Sequence, residues 1–277
     1  MSADSSTPLR WRQAYADLSL PDILARHEDA VRRAPKDAHA RWMLLETLCL
    51  LGQWQRAFIQ LDACLRLDDA LRAPVRALRA LLLAEQQREA VLAGQARPLT
   101  ATAMPDWMDA LWRANQHNAT GSHDQADTLR RQALAHAPTA AGLSNLGHCA
   151  WLADSDTRLG PVCELVLADG YHWCPFASVR ALQLDTPRHT LDLIWQPAHI
   201  QLDDSPPQPG WLPSRYPLHA DADDNHRLAR ATSWRDVGDT GVFAHGQKTW
   251  MHAEGDWPLL ELRQYSRQAD TEPGHGS

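Results

Sequence analysis

The sequence predicts an α+β chain in two parts: a tetratricopeptide-like α-helical repeat domain over residues 20–138, then a C-terminal α+β domain with a mostly antiparallel sheet over residues 148–265. Three observations carry this assignment. Apolar residues recur at three- and four-residue spacing through the first half. Small residues and helix breakers repeat there with a period of 34 residues. From Trp151 onward helical spacing gives way to short β-like runs rich in Pro, Gly, Trp and Asp.

Taken in order, residues 1–19 read as an N-terminal arm. Ala30 and Pro35 then recur as Cys64 and Asp69, 34 positions on. Trp42, Leu45 and Leu48 form the apolar stripe of one helix, and Phe58, Leu61 and Leu65 that of the next. Gly52 and Ala57 between them let the two approach closely. A further copy stands as Gly121, Ala126, Ala133 and Pro138, each 69 residues beyond Gly52, Ala57, Cys64 and Asp69. Pro74 suits the first turn of a helix closed by Gly94, and Pro105 opens another that contains Trp107, Leu111 and Trp112. Ser122 followed by Gln125 three residues later is a capping-box pattern for the helix ending at His136. A single repeat cannot bury its apolar face, so neighbours must stack.

Residues 139–147 read as a linker. Beyond it, residues 163–167 and 172–175 form a hairpin with Asp169-Gly170 as the tight turn, pairing Val166 with Trp173, Leu167 with His172 and Leu165 with Cys174. Further strands are expected at 180–184, 242–245, 248–252 and 259–265. Residues 203–217 read as a proline-rich loop, residues 226–234 as the site of a short helix behind the acidic run 221–224, and residues 266–277 as a disordered tail.

A formal charge of −7 argues against nucleic-acid binding, which draws its affinity from clustered Lys and Arg. Only Lys36 and Lys248 are lysines. The longest apolar runs are broken by charges well short of a span of about 20 residues, so no membrane association is expected. Residues 1–8 show neither a basic start nor an apolar run. No secretory signal is visible there, so the chain is expected to be cytoplasmic, and its five cysteines, in no C-x-x-C spacing, are expected to be reduced thiols.

Asp154, Asp156 and Arg158 beside Glu164 could be a general acid/base set. Asp-Ser-Asp ahead of Gly160-Pro161 is also turn and capping chemistry, and that reading is preferred. On the expected hairpin, Cys163, His172 and Cys174 share a face and, with His148 or Cys149, have the makings of a zinc site. Leu165, Leu167 and Phe176 share the same face, which makes it a core wall, so neither metal nor cofactor is expected. Neither G-x-S-x-G nor a phosphate-cradling glycine loop occurs. Of the twelve tryptophans, Trp42, Trp54, Trp107 and Trp112 fit helix packing, whereas Trp151, Trp173, Trp195 and Trp211 lie near loops and prolines and are candidates for interface anchors.

The run Trp-Leu-Ala-Asp-Ser-Asp-Thr-Arg-Leu-Gly-Pro at 151–161 resembles the signature segment of the ImpE/TagJ (SciE-type) accessory proteins of bacterial type VI secretion. The resemblance continues through Gly-Tyr-His-Trp-Cys-Pro-Phe at 170–176, Asp-Leu-Ile-Trp-Gln-Pro-Ala at 192–198, Leu-Pro-Ser-Arg-Tyr-Pro at 212–217 and Trp-Pro-Leu-Leu-Glu-Leu-Arg at 257–263. It departs at 244–248, Ala-His-Gly-Gln-Lys where Leu-Gly-Gln-Arg is expected, and at Trp257, where Tyr is more usual. The resemblance implies a non-enzymatic accessory protein. Its partners would be the N-terminal segment of the small, TssB-like sheath subunit and the ClpV-type AAA+ ATPase that disassembles the sheath. Polar loops flanked by aromatics resemble interface rims, so the expected contact residues are Trp151, Asp154, Asp156, Arg158, Tyr171, Trp173, Trp195, Arg215 and Tyr216. The rival readings are a hydrolase or metal-dependent enzyme using Asp154, Asp156, His172 or the thiols, and a general repeat adaptor unrelated to secretion.

Overall fold

The computed structural model describes residues 19–203 and 205–268. Among these, six helices come first: α1 (Leu20–Arg33), α2 (Ala38–Leu50), α3 (Trp54–Leu67), α4 (Arg72–Leu92), α5 (Asp106–Ala119) and α6 (His123–His136). Their ends follow from side-chain chemistry. Ser19 caps α1 by accepting from the Asp22 amide at 3.2 Å, and Asp37 caps α2 by accepting from His39 N at 2.8 Å. Pro74 lies in the first turn of α4, and Pro105 stands immediately before α5. The 69-residue spacing has a geometric counterpart: Gly52 and Gly121 turn the chain at φ 68° and 74°, and Ala57 and Ala126 behind them are fully buried. The capping box, however, does not form. Ser122 takes the cap position, but its ψ of 64° departs from the extended backbone that aims a hydroxyl at the helix amides, and no capping bond results.

Among the described residues, the second half is built on thirteen strands in three antiparallel sheets. The largest has the order β2-β1-β13-β6-β7-β8-β4-β5. Its members are β1 (Gly142–Ser144), β2 (Gly147–Cys149), β4 (Val162–Leu167), β5 (Gly170–Pro175), β6 (Val179–Leu184), β7 (Trp195–Leu202), β8 (Gln208–Pro213) and β13 (Gln264–Arg267). A three-stranded sheet joins β3 (Ala153–Asp154), β11 (Thr249–His252) and β12 (Gly255–Pro258), and a two-stranded ribbon pairs β9 (Thr232–Val237) with β10 (Gly241–Gly246). The last helix, α7, is Asp224–Arg227. The chain is therefore α+β.

Several expectations change. The β4–β5 hairpin turns on Ala168-Asp169, with Leu167 opposite Gly170, Val166 opposite Tyr171 and Glu164 opposite Trp173. The shift from the expected register is even, so every side chain keeps its expected face. The stretch 139–147 is more than a linker: β1 and the start of β2 belong to the large sheet, and an added Cβ at Gly142 would fall 2.3 Å from the Tyr265 ring. The 203–217 loop contains β8, and β7, absent from the expected strands, is eight residues long. The helix near 226–234 is only α7, capped by Asp223 and ended at Ala229 (φ 49°), after which β9 begins. Ser266 and Arg267 of the expected tail are in β13. The tail beyond Gln268, and the N-terminal arm up to Leu18, lie outside the described residues.

Two apolar layers flank the β4–β5 end of the large sheet. Val162, Val166, Tyr171 and Trp173 face the helices, whereas Cys163, Leu165, Leu167 and Cys174 face a second core with Phe176, Trp250, Trp257 and Tyr265. The outer edge of β5 is partly covered: Leu99, between α4 and α5, donates its N–H to Tyr171 O at 3.3 Å and accepts from Trp173 N at 2.9 Å.

Candidate functional site

Where α4 meets the sheet, charged and aromatic side chains interlock. On α4 the apolar stripe runs Val75, Leu78, Leu82 and resumes at Leu92, and Glu85 and Arg88 hold the buried places between. Arg88 grips Glu164 of β4 with two prongs, Nε–Oε1 at 2.7 Å and Nη2–Oε2 at 3.0 Å, and donates through Nη1 to Glu85 at 2.9 Å. Trp195 of β7 donates its indole N–H to the other oxygen of Glu85 at 3.0 Å. On β5 the Trp173 indole donates to the Tyr171 hydroxyl at 2.7 Å, and that hydroxyl donates to Glu164 at 2.6 Å. One face of the hairpin thus supplies Glu164, Tyr171 and Trp173 because alternate residues of a strand share a side.

Lys248 extends the network. Its Nζ lies 2.5 Å from Glu164 and 2.5 Å from Asp154, while Tyr216 donates to Asp154 at 2.8 Å. Asp156 takes a fork from Arg158, Nε–Oδ1 at 2.9 Å and Nη2–Oδ2 at 2.5 Å, and accepts from Ala244 N at 3.0 Å, which ties this loop to β10. Burial pushes the Asp154 carboxyl up to about 6 against the pull of Lys248. At Glu164 burial acts the same way, but the charges of Arg88 and Lys248 outweigh it and hold the carboxyl well below the usual range. Burial opposes the charge on Lys248, yet Asp154 and Glu164 raise it above the ordinary lysine value.

Arg215 makes a different contact. Its guanidinium donates to Leu50 O at 2.7 Å and Cys49 O at 2.9 Å, the last carbonyls of α2, and also to Arg227 O at the end of α7. One buried cation therefore serves the C-terminal ends of two helices, where unpaired carbonyls concentrate negative potential. Burial lowers its affinity for the proton, to about 10.

Of the nine expected contact residues, Asp154, Tyr171, Trp173, Trp195 and Tyr216 come together in this network, with Asp156 and Arg158 beside it. Arg215 caps the helices, and Trp151 stands apart, half-buried ahead of β3. Trp151 and Trp211 are half-buried, whereas Trp173 and Trp195 are each 1% exposed. The aromatic anchors at 171, 173 and 195 therefore serve an interface within the chain, between α4 and the sheet. Sequence reasoning missed Glu85, Arg88 and Lys248. Their signal was available: two charges on the apolar stripe of a helix, and one of only two lysines standing within a β-like run.

The arrangement offers little to a substrate. Glu85, Arg88, Asp154, Asp156, Glu164 and Lys248 are each 3% exposed or less, and donors and acceptors are matched within the network. The hairpin face considered for chemistry is filled: Cys163 and Cys174 sit among Leu165, Leu167 and Phe176, and burial pushes the Cys174 thiol up to about 12. A filled face counts against the hydrolase reading. Among the described residues no three His, Cys, Asp or Glu side chains are grouped so as to hold a metal ion. Among them, too, no helix is long and apolar enough to cross a membrane.

Comparison with known proteins places this architecture. The family model described as ImpE protein matches residues 147–266. The chain is 34% identical over 246 residues to the type VI secretion system accessory component TagJ of Pseudomonas aeruginosa, covering 88% of this chain and 86% of that one. Its fold is similar to the crystal structure of protein VPA1032 from Vibrio parahaemolyticus, with a TM-score of 0.86, 25% identity, and coverage of 95% of this chain and 98% of the other. Kinship along nearly the whole length, through both the helices and the sheet that the buried charges join, settles the assignment: the chain belongs to the ImpE/TagJ family of type VI secretion accessory proteins.

Proposed function

We propose that this protein is a cytoplasmic adaptor of a bacterial type VI secretion system, binding the N-terminal segment of the small TssB-like sheath subunit and associating with the ClpV-type AAA+ ATPase that takes the sheath apart. The observation that carries the reading is the joining of helices to sheet by buried, matched charges, in a chain similar along most of its length to a named accessory component of that system. A docking protein gains affinity by being rigid before its partner arrives, because less ordering entropy is lost on binding. Forked Arg–carboxylate pairs and indole hydrogen bonds supply that rigidity. No bond of the partner need be made or broken: the helices offer grooves and the sheet a fixed backing.

Calorimetric titration of the full chain with a peptide of the sheath subunit's N-terminal segment tests the first contact, and co-purification with the ATPase tests the second. Saturable heat with the peptide and a stable complex with the ATPase are expected. Absence of heat at high micromolar peptide removes the sheath contact, and absence of a complex removes the ATPase contact.

A further inference from the structure

We propose that the outer groove between α3 and α4 is a docking site for an acidic amphipathic helix of a protein partner. This goes beyond the adaptor reading, since it assigns a surface and a partner chemistry without requiring the sheath segment or the ATPase to be the owner of that helix. The groove encloses about 580 Å³, with Leu65, Ala73 and Val75 among its apolar lining. Arg72, Arg76 and Arg79 rim it from α4 at spacings of four and three residues, so they form a row about 10 Å long. The row ends, four residues on, at Leu83, which is 54% exposed.

Charge decides the occupant. The chain as a whole carries −7, yet three arginines and one aspartate, Asp69, line this groove. Arg76 has no carboxylate partner among the described residues. Arg72 pairs with Asp69, both largely in solvent, and Arg79 with Asp62, both partly exposed, and pairs so placed contribute little and exchange with other carboxylates. A helix laid along α4 presents carboxylates at the same three- and four-residue repeat, and each guanidinium can take one with two parallel hydrogen bonds. Its apolar face then covers Leu65, Ala73 and Leu83. A nucleic-acid phosphate surface fits less well, because it has no apolar face to lay over Leu65, Ala73 and Leu83.

Fluorescence anisotropy of the full chain tests this with a labelled synthetic peptide about four helical turns long, with leucines along one face and glutamates beside them. Saturable binding is expected, weakening with salt and falling about tenfold in the combined variant Arg72→Glu, Arg76→Glu, Arg79→Glu. The same variant should bind a peptide in which the glutamates are replaced by lysines, a rescue that a structural defect cannot produce. If the combined variant fails to fold, Arg76→Glu alone, at a site without a pair to break, is expected to weaken binding several-fold. The proposal is overturned if no saturable binding occurs, if the two peptides bind the unaltered chain equally, if folded variants bind as before, or if phosphatidylglycerol vesicles bind in their place with the same arginine dependence.

Discussion

Arg88 of α4 and Glu164 of β4, 76 positions apart in the chain, meet in a buried two-pronged ion pair. Taking one partner away leaves the other charged and buried. Arg88→Met is therefore expected to destabilise by about 3–5 kcal/mol. The pair Arg88→Met with Glu164→Leu should cost less than the sum of the single changes. Urea unfolding of the three variants measures this. Strict additivity would mean that the fork does not couple the halves.

Trp173 offers a distinction between interior and contact roles. Trp173→Ala should lower stability by about 3–5 kcal/mol by opening a cavity. Trp173→Phe should lose about 1 kcal/mol, chiefly the hydrogen bond to Tyr171. If Trp173→Ala instead melts with the parent chain and loses only partner binding, the residue is a surface anchor and does not pack between α4 and the sheet.

Arg215 should not tolerate lysine. A single ammonium lacks the reach of a fork across Cys49 O, Leu50 O and Arg227 O, so Arg215→Lys and Arg215→Met are both expected to cost at least about 1.5–3 kcal/mol. Hydrogen exchange should quicken around the α2 end and α7 before the rest of the molecule. Unchanged exchange there would remove the capping role.

Asp127 of α6 gives a pH signature. Burial disfavours its charge, but the Thr240 hydroxyl at 2.6 Å, the Asp239 amide at 2.8 Å, the Thr240 amide at 3.1 Å and Arg130 at 2.9 Å outweigh it and hold the carboxyl at about 2. A carboxyl lowered on folding contributes stability that is present above its unfolded value and lost as pH falls through the folded one. That contribution should fade between about 4 and 2. Asp127→Asn should flatten that part of the stability–pH curve and cost about 1–3 kcal/mol at neutral pH. An unaltered curve would show that the β9–β10 turn is not pinned by this carboxylate.

The helical half was legible because its cues are local: Gly52, Gly121, Pro74 and Pro105 stand at the breaks their backbone chemistry demands. The sheet was legible at the β4–β5 hairpin, from its Asp-Gly signal, and at β6, β10 and β11, whose short β-like runs were expected as strands. Pro209 and Pro213 made β8 read as loop, and β7, which holds Pro197, was not expected as a strand, although pairing between the two, with Pro197 opposite Trp211, fixes both as strands. Glycines at 142 and 147 hid β1 and β2, whose pairing depends on a strand more than a hundred residues later. The site was half legible. Aromatics with polar tips announced an interface, but its other side, Glu85 and Arg88, emerges only once α4 is folded against β4.

β13 lies in the interior of the large sheet, between β1 and β6, though it comes last in the chain among the described strands. As the nascent chain leaves the ribosome the helices can mature at once, whereas the sheet must wait in two pieces with bare inner edges until residues 264–267 slide between them. Completion of this sheet therefore waits on residues 264–267, and a chain stalled or clipped before them would be a sticky half-built sheet beside finished helices.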